Sequence, residues 1–418
     1  MFGMQDKFDE ATSEYFQSHK IGAMALESLI EKHTGIVLTK EQKNLIEKQL
    51  RVSSSSISLD FSDEQLRICG FASEDEIRPL IKNAVKEFPE KVSDFCANID
   101  ETMESIVNSV SDGMSDAVLE SLFENFESML EDQITIRENI SQYVEDVWAY
   151  PLNLLQGLIV MLDESIGAFL DKYPELYEQN FAVEVLVRIH AKANQVAKEI
   201  HLLLRNGFAD GSQARWRTLH ELAVISHFIS KHGNECAERY LEHDLVEAYK
   251  SALQHNEYCE RLGLTPYSQD DITSLKGDYD NLMQKYGDEF RFDYGWSAKA
   301  LGIKKPNFRD IELSVELDHH RPLFKSASSN VHANSTGVLW RLGMPGEMNM
   351  LLAGPSEVGI DIPARYTVVS LIQISVALLT FNPTMDGIVV TQVMNKYADK
   401  VENAFGEVAS RLHGEQNA

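Results

Sequence analysis

The chain has 418 residues, with 38 Lys and Arg against 65 Asp and Glu, for a formal net charge of −27. That length is ample for two domains, and 44% hydrophobic residues with few Pro and Gly exclude a disordered chain. Most of the acidic excess falls in the first 175 residues, a field that repels nucleic-acid backbone and anionic membranes.

Residues 5–51 have helical spacing, and Thr39-Lys-Glu-Gln42 reads as a capping box. The opening segment has neither a basic region nor an apolar core, so no signal peptide is expected. Ser53–Ser56 reads as a polar linker. Helical periodicity resumes over 62–147, where Val118, Leu122, Phe126, Met129 and Leu130 oppose Glu120, Glu124, Glu127 and Glu131 on an acidic amphipathic helix. Pro151 is expected to start or kink the apolar element 148–170, and Pro174 to end it.

Residues 180–206 form a strong helix, and 212–229 a second one that is apolar all round except for its ionisable groups. Further helices are expected at 235–262 and 269–290. The aromatic stretch 290–306 reads as irregular, broken by Gly295 and Gly302. One or two helices fall within 307–342, a Gly/Pro loop at 343–363, and two C-terminal helices follow, divided by Asn382-Pro383. Strand signals are scarce. The expected fold is an all-α multi-helix bundle, with an acidic helical region at 1–175 and a helical domain at 176–418 that carries the site.

The apolar run 366–381 falls short of the ~20 residues that span a bilayer and reads as a core helix, so no membrane is expected. The four cysteines show no CxxC pairing, which fits a reducing cytoplasm. Asp318-His319-His320 forms no ligand pair on a helix face, so neither a metal nor a cofactor is expected. No P-loop, GxGxxG or GxSxG is present, which leaves nucleotide hydrolysis, dinucleotide redox chemistry and serine hydrolysis without support.

The chemistry concentrates in 212–229. At about 100° per residue, Arg217, His220 and Glu221 fall on one helical face. Burying such groups costs several kcal/mol unless they are paired, and a stabilising role alone is a poor reason for them. Arg supplies a fork of donors suited to phosphate, His exchanges protons near neutrality, and Glu can orient an imidazole. Together they suit metal-independent RNA cleavage, in which a 2′-OH attacks its own phosphate. His332, among Ser and Asn residues, is a further candidate. Asn330 is a candidate substrate contact, and Lys304, Lys305 and Arg321 form part of the densest basic patch.

Arg215-Trp-Arg-Thr-Leu-His220 fits R-x4-H and so resembles the motif of HEPN domains (higher eukaryotes and prokaryotes nucleotide-binding), helical modules that include many RNases of toxin–antitoxin and phage-defence systems. On a regular helix, however, residues i and i+5 lie about 140° apart. A broader resemblance rests on RTLHEL (217–222), FDYGW (292–296), SSNVHANS (328–335) and GPSEVGIDIP (354–363). It is to an uncharacterised bacterial family with an Arg-x-x-x-Glu helix and a later Val-His. That resemblance implies a helical domain and a site of Arg217, Glu221 and His332. The HEPN resemblance implies a ribonuclease working as a homodimer, with Arg215 or Arg217 on phosphate, His220 or His332 moving the proton and Glu221 orienting a histidine. The competing expectation is a non-enzymatic sensor or adaptor whose acidic N-terminal region binds a basic protein partner.

Overall fold

The computed structural model describes residues 17–52, 57–97, 99–344 and 351–416. The expected beginning of the first helix, the Ser53–Ser56 linker and part of the 343–363 loop lie outside the described residues. Among the described residues the fold is all-α, and sixteen α-helices and three 3₁₀ turns account for its regular structure. The chain divides into two compact units, Met1–Ser128 and Met129–Ala418.

In the first unit, α1 (Ser18–Thr34), α2 (Lys40–Arg51), α3 (Asp63–Ile68), α4 (Glu74–Ala97) and α5 (Ile99–Glu124) follow in order. Leu29, Ile30, Ile36, Ile46 and Ile77 form the centre of its core. The capping box at Thr39 is present: its hydroxyl accepts from Gln42 N, and Gln42 Oε1 accepts from Thr39 N at 2.9 Å.

The second unit is built on α6 (Phe126–Lys172), α7 (Pro174–Gln179), α8 (Phe181–Arg205) and α9 (Ala209–Leu262). After them come α10 (Gln269–Tyr286), α11 (Ala298–Leu301), α12 (Phe308–Ser314), α13 (Arg321–Val331), α14 (Ser335–Leu339), α15 (Asp361–Leu379) and α16 (Met385–Gln416). The division expected near residue 175 falls instead at 128/129. The cause is α6, whose Val144, Trp148, Leu152, Leu155 and Leu162 are buried in the same core as α8, α9 and α15. Pro151 does not start a helix. It sits buried within α6, where its ring removes a single backbone donor.

Helix α9 merges the two helices expected at 212–229 and 235–262. Gly233, at φ 72° and ψ −157°, leaves helical geometry between them, a conformation that glycine adopts without a Cβ penalty. The N-terminal arm of α9 packs against α8 and α15. Trp216 is buried and donates its indole N–H to Tyr366 O at 2.9 Å. By length and composition alone, α6 and α15 could cross a membrane; α15 buries Val368, Leu371, Ile374 and Leu378 in this core.

Candidate functional site

Two polar clusters leave the N-terminal arm of α9 in different directions. Arg217 and Glu221, one turn apart, form an ion pair at 3.2 Å. Arg217 Nε has no directed hydrogen bond, so this contact is electrostatic rather than a formed N–H···O bond. Arg217 also lies over the Phe324 ring, 4.7 Å from its centroid, which suits a guanidinium. Its Nη1 sits 3.4 Å from His332 Nε2. A guanidinium is only a donor, so this contact requires a lone pair on Nε2 and the proton on Nδ1. Burial raises the Glu221 carboxyl above its usual range, and Arg217 works against that shift. Tyr294, from the FDYGW segment, feels both charges, and burial raises its phenol.

His332 follows the last residue of α13, and its backbone N–H closes the helix on Ser328 O at 3.0 Å. It is exposed and lines a cavity of about 490 Å³ together with Asp210, Asn330, Arg341 and Gly354. The cavity opens beside the first turn of α9, where unpaired backbone donors favour an anion. Asp210 is committed to structure: its carboxylate accepts Leu342 N at 2.8 Å and Gly343 N at 3.1 Å, with Asn330 Nδ2 at 3.4 Å. Ser356 ties two wall residues together. Its N–H donates to Gly207 O at 2.9 Å and its hydroxyl to Gly343 O at 2.6 Å. Gly207 has φ 76°, and a Cβ there would stand 2.7 Å from Ser356 O. The GPSEVGIDIP segment thus anchors the loop that walls the cavity.

The second cluster is sealed. His220 and Glu312 are both fully buried, and His220 Nε2 lies 2.8 Å from Glu312 Oε1. The other carboxylate oxygen of Glu312 accepts from Arg321 Nη1 at 2.7 Å. Trp216, Phe308, His320 and Phe324 surround the imidazole. Burial lowers the His220 pKa, while Glu312 opposes the shift. His320, beside it, falls to about 4, chiefly through burial.

Arg217, Glu221 and His332 therefore come together, with Asn330 nearby on the cavity wall. His220 does not join them. Glu221 holds an arginine and orients no histidine. Arg215 turns to α8, pairing with Glu199 and donating to Thr218 Oγ1 at 3.2 Å, so Arg215 and His220 of the R-x4-H motif do not converge. Arg321 is tied to Glu312. Lys304 and Lys305 are exposed and outside the cavity lining, and Lys305 lies over Phe292. Among the described residues, no group of three or more His, Cys, Asp or Glu is placed to hold a metal ion.

Sequence reasoning missed Glu312, Asp210 and Arg341. Glu312 had a signal: with Phe308, Ile311 and Val315 it completes an i, i+3, i+4, i+7 stripe, which puts a carboxylate at a core position.

Residues 183–348 match the model of a family of unknown function (DUF5677). The matched stretch holds Arg217, Glu221, Glu312 and His332, and fits the resemblance to an uncharacterised family. No curated protein and no solved structure gives a match.

Proposed function

We propose that the second unit is a metal-independent ribonuclease, related in chemistry to HEPN domains, with Arg217 and His332 as its catalytic pair. The observation that carries this reading is the 3.4 Å approach of Arg217 Nη1 to Nε2 of His332, the member of the pair that lines an open cavity. On this reading a bound phosphate draws Arg217 Nη1 away from His332, and the Nε2 lone pair so released takes the proton of a ribose 2′-OH. The 2′-oxygen attacks the adjacent phosphorus, Arg217 neutralises the charge growing on the non-bridging oxygens, and the 5′-oxygen leaves and takes up a proton. The product is a 2′,3′-cyclic phosphate. Arg341 and the first turn of α9 favour the phosphate of a neighbouring nucleotide, and Glu221 holds Arg217 in place.

A second reading has its own support. The buried His220–Glu312 pair, held by the partly exposed Arg321, reads as a structural knot of the kind a helical sensor or adaptor would carry. One experiment separates the two readings. The purified chain, Arg217→Ala and His332→Ala are incubated with single-stranded RNA and with DNA of the same sequence. The ribonuclease reading requires cleavage of RNA only, cyclic-phosphate ends, and loss of cleavage in both variants at unchanged melting temperature. An inactive wild type, or variants as active as wild type, overturns it.

A further inference from the structure

Leu339 and Trp340 are 66 and 74% exposed, beside Val338 and Arg341, which line the His332 cavity. Trp148, Trp216 and Trp296, by contrast, are 1, 1 and 3% exposed. A large aromatic ring left in water forgoes the burial its area would provide, so a ring at the rim of a cavity marks a contact surface. The backbone that carries it is held in place. Asn334 caps α14 by accepting from Gly337 N at 2.8 Å, and Trp340 N donates to Thr336 O at 2.9 Å. Gly337 lets α14 abut the end of α13, since a Cβ there would stand 1.9 Å from Ser329 O.

At φ −124° and ψ 127° the backbone of Trp340 is extended, so neighbouring side chains leave it on opposite sides. Arg341 lines the cavity, and Trp340 stands outside the lining. Arg341 Nη1 donates to Leu352 O at 2.5 Å, and the guanidinium meets no carboxylate among the described residues. A cation without an anion, next to an exposed ring, fits a ligand that alternates negative charge with flat apolar faces. Single-stranded nucleic acid has that alternation, whereas a duplex keeps its base faces inside the stack. A protein partner fits less well. The exposed apolar residues Val331, Val338, Leu339, Trp340 and Leu351 fall far short of the roughly 20–30 residues a side of a stable protein interface. We infer that Trp340 stacks an unpaired nucleobase while Arg341 holds the phosphate beside it, so that the cavity takes single-stranded RNA and rejects a duplex. This subsite rests on the ribonuclease reading of the cavity and adds to it the contact that selects an unpaired strand.

The test is intrinsic fluorescence of the full chain, because Trp340 is the one exposed tryptophan of the four. The probe is a 2′-O-methyl RNA strand, which has no 2′-hydroxyl to attack and is not cut. It should quench the emission saturably and shield it from acrylamide, and the same strand annealed to its complement should bind several-fold more weakly. Trp340→Ala should weaken binding of the labelled single strand, read by fluorescence polarisation, by roughly tenfold at unchanged melting temperature. Trp340→Phe should keep most of the affinity. An unquenched emission overturns the proposal, as does a duplex bound as tightly as the single strand, or a Trp340→Ala variant that binds like wild type. A blue shift with phosphatidylcholine vesicles, and no response to the strand, assigns the ring to a membrane surface instead. Strand binding through Trp340 without cleavage of unmodified RNA overturns the ribonuclease reading and leaves Trp340 as a single-strand contact. Cleavage undiminished in Trp340→Ala, at substrate below KM, does the reverse.

Discussion

His220 Nε2 and Glu312 Oε1 lie 2.8 Å apart with both side chains fully buried, and the second carboxylate oxygen is held by Arg321. Removing one member of such a cluster leaves the others without compensation. Glu312→Ala should cost about 3–5 kcal/mol, measured as the shift in urea-unfolding free energy. Glu312→Gln, which keeps shape and one acceptor, should cost less. A cost below about 1 kcal/mol for Glu312→Ala would show that the cluster is not an organising contact.

Gly207 meets two demands at once, a left-handed backbone and an approach to Ser356 O that a Cβ would block at 2.7 Å. Gly207→Ala should therefore destabilise the second unit by about 1–3 kcal/mol. The same change at Gly263, also left-handed but with nothing within 4 Å of a built Cβ, should cost only the backbone strain. Thermal unfolding of the two variants compares them directly.

Asp210 carries the cavity wall through two backbone amides. Asp210→Ala leaves those amides without their acceptor. Hydrogen exchange at Leu342 and Gly343 should speed up while exchange in the core of α8 stays slow. Unchanged protection at both amides would mean that Ser356 alone holds the loop.

His190 is buried on α8, and burial lowers its pKa to about 4. In the unfolded chain it titrates near 6.5, so between those values the unfolded state binds more protons. Stability is then flat above about pH 6.5 and declines as pH falls towards 4, by up to about 3 kcal/mol from this residue. His190→Gln should flatten that acid limb in chemical denaturation at stepped pH. An unaltered limb would assign the acid sensitivity elsewhere.

Arg217 contacts Glu221, His332 and the Phe324 ring together. Lys cannot reproduce that planar arrangement. On the proposed ribonuclease reading, Arg217→Lys should lower kcat by on the order of 100-fold through misplacement of the charge, with the fold retained by circular dichroism. Wild-type turnover in this variant would remove Arg217 from the chemistry.

The helices around the site were legible because their caps and periodicity are local. Asn180 caps α8, and in the first unit Thr39 caps α2 at the residue where the sequence places the cap. The pairing of Arg217 with Glu221 was also legible, being an i, i+4 relation within one helix. The destination of His220 was not. It lies only about 100° round the helix from Glu221, and that angle is enough for one side chain to enter the core while the other faces a cleft. The deciding partner, Glu312, is 92 residues away, a pairing that no helical period encodes. The R-x4-H motif misled for a related reason: Arg215 had a nearer acceptor in Glu199 on the preceding helix. The unit boundary was displaced because the core that α6 shares with α8, α9 and α15 is a long-range relation that helical periodicity does not encode.

The strap from Asp210 to Leu342 and Gly343 joins segments more than 130 residues apart. A chain still emerging from the ribosome carries Arg217 and Glu221 long before it carries His332, and has no cavity wall until Ser356 returns to Gly207. Fragments that end before this point hold the guanidinium without the imidazole. The order of synthesis therefore delays assembly of the paired site until the segment through Ser356 has been made.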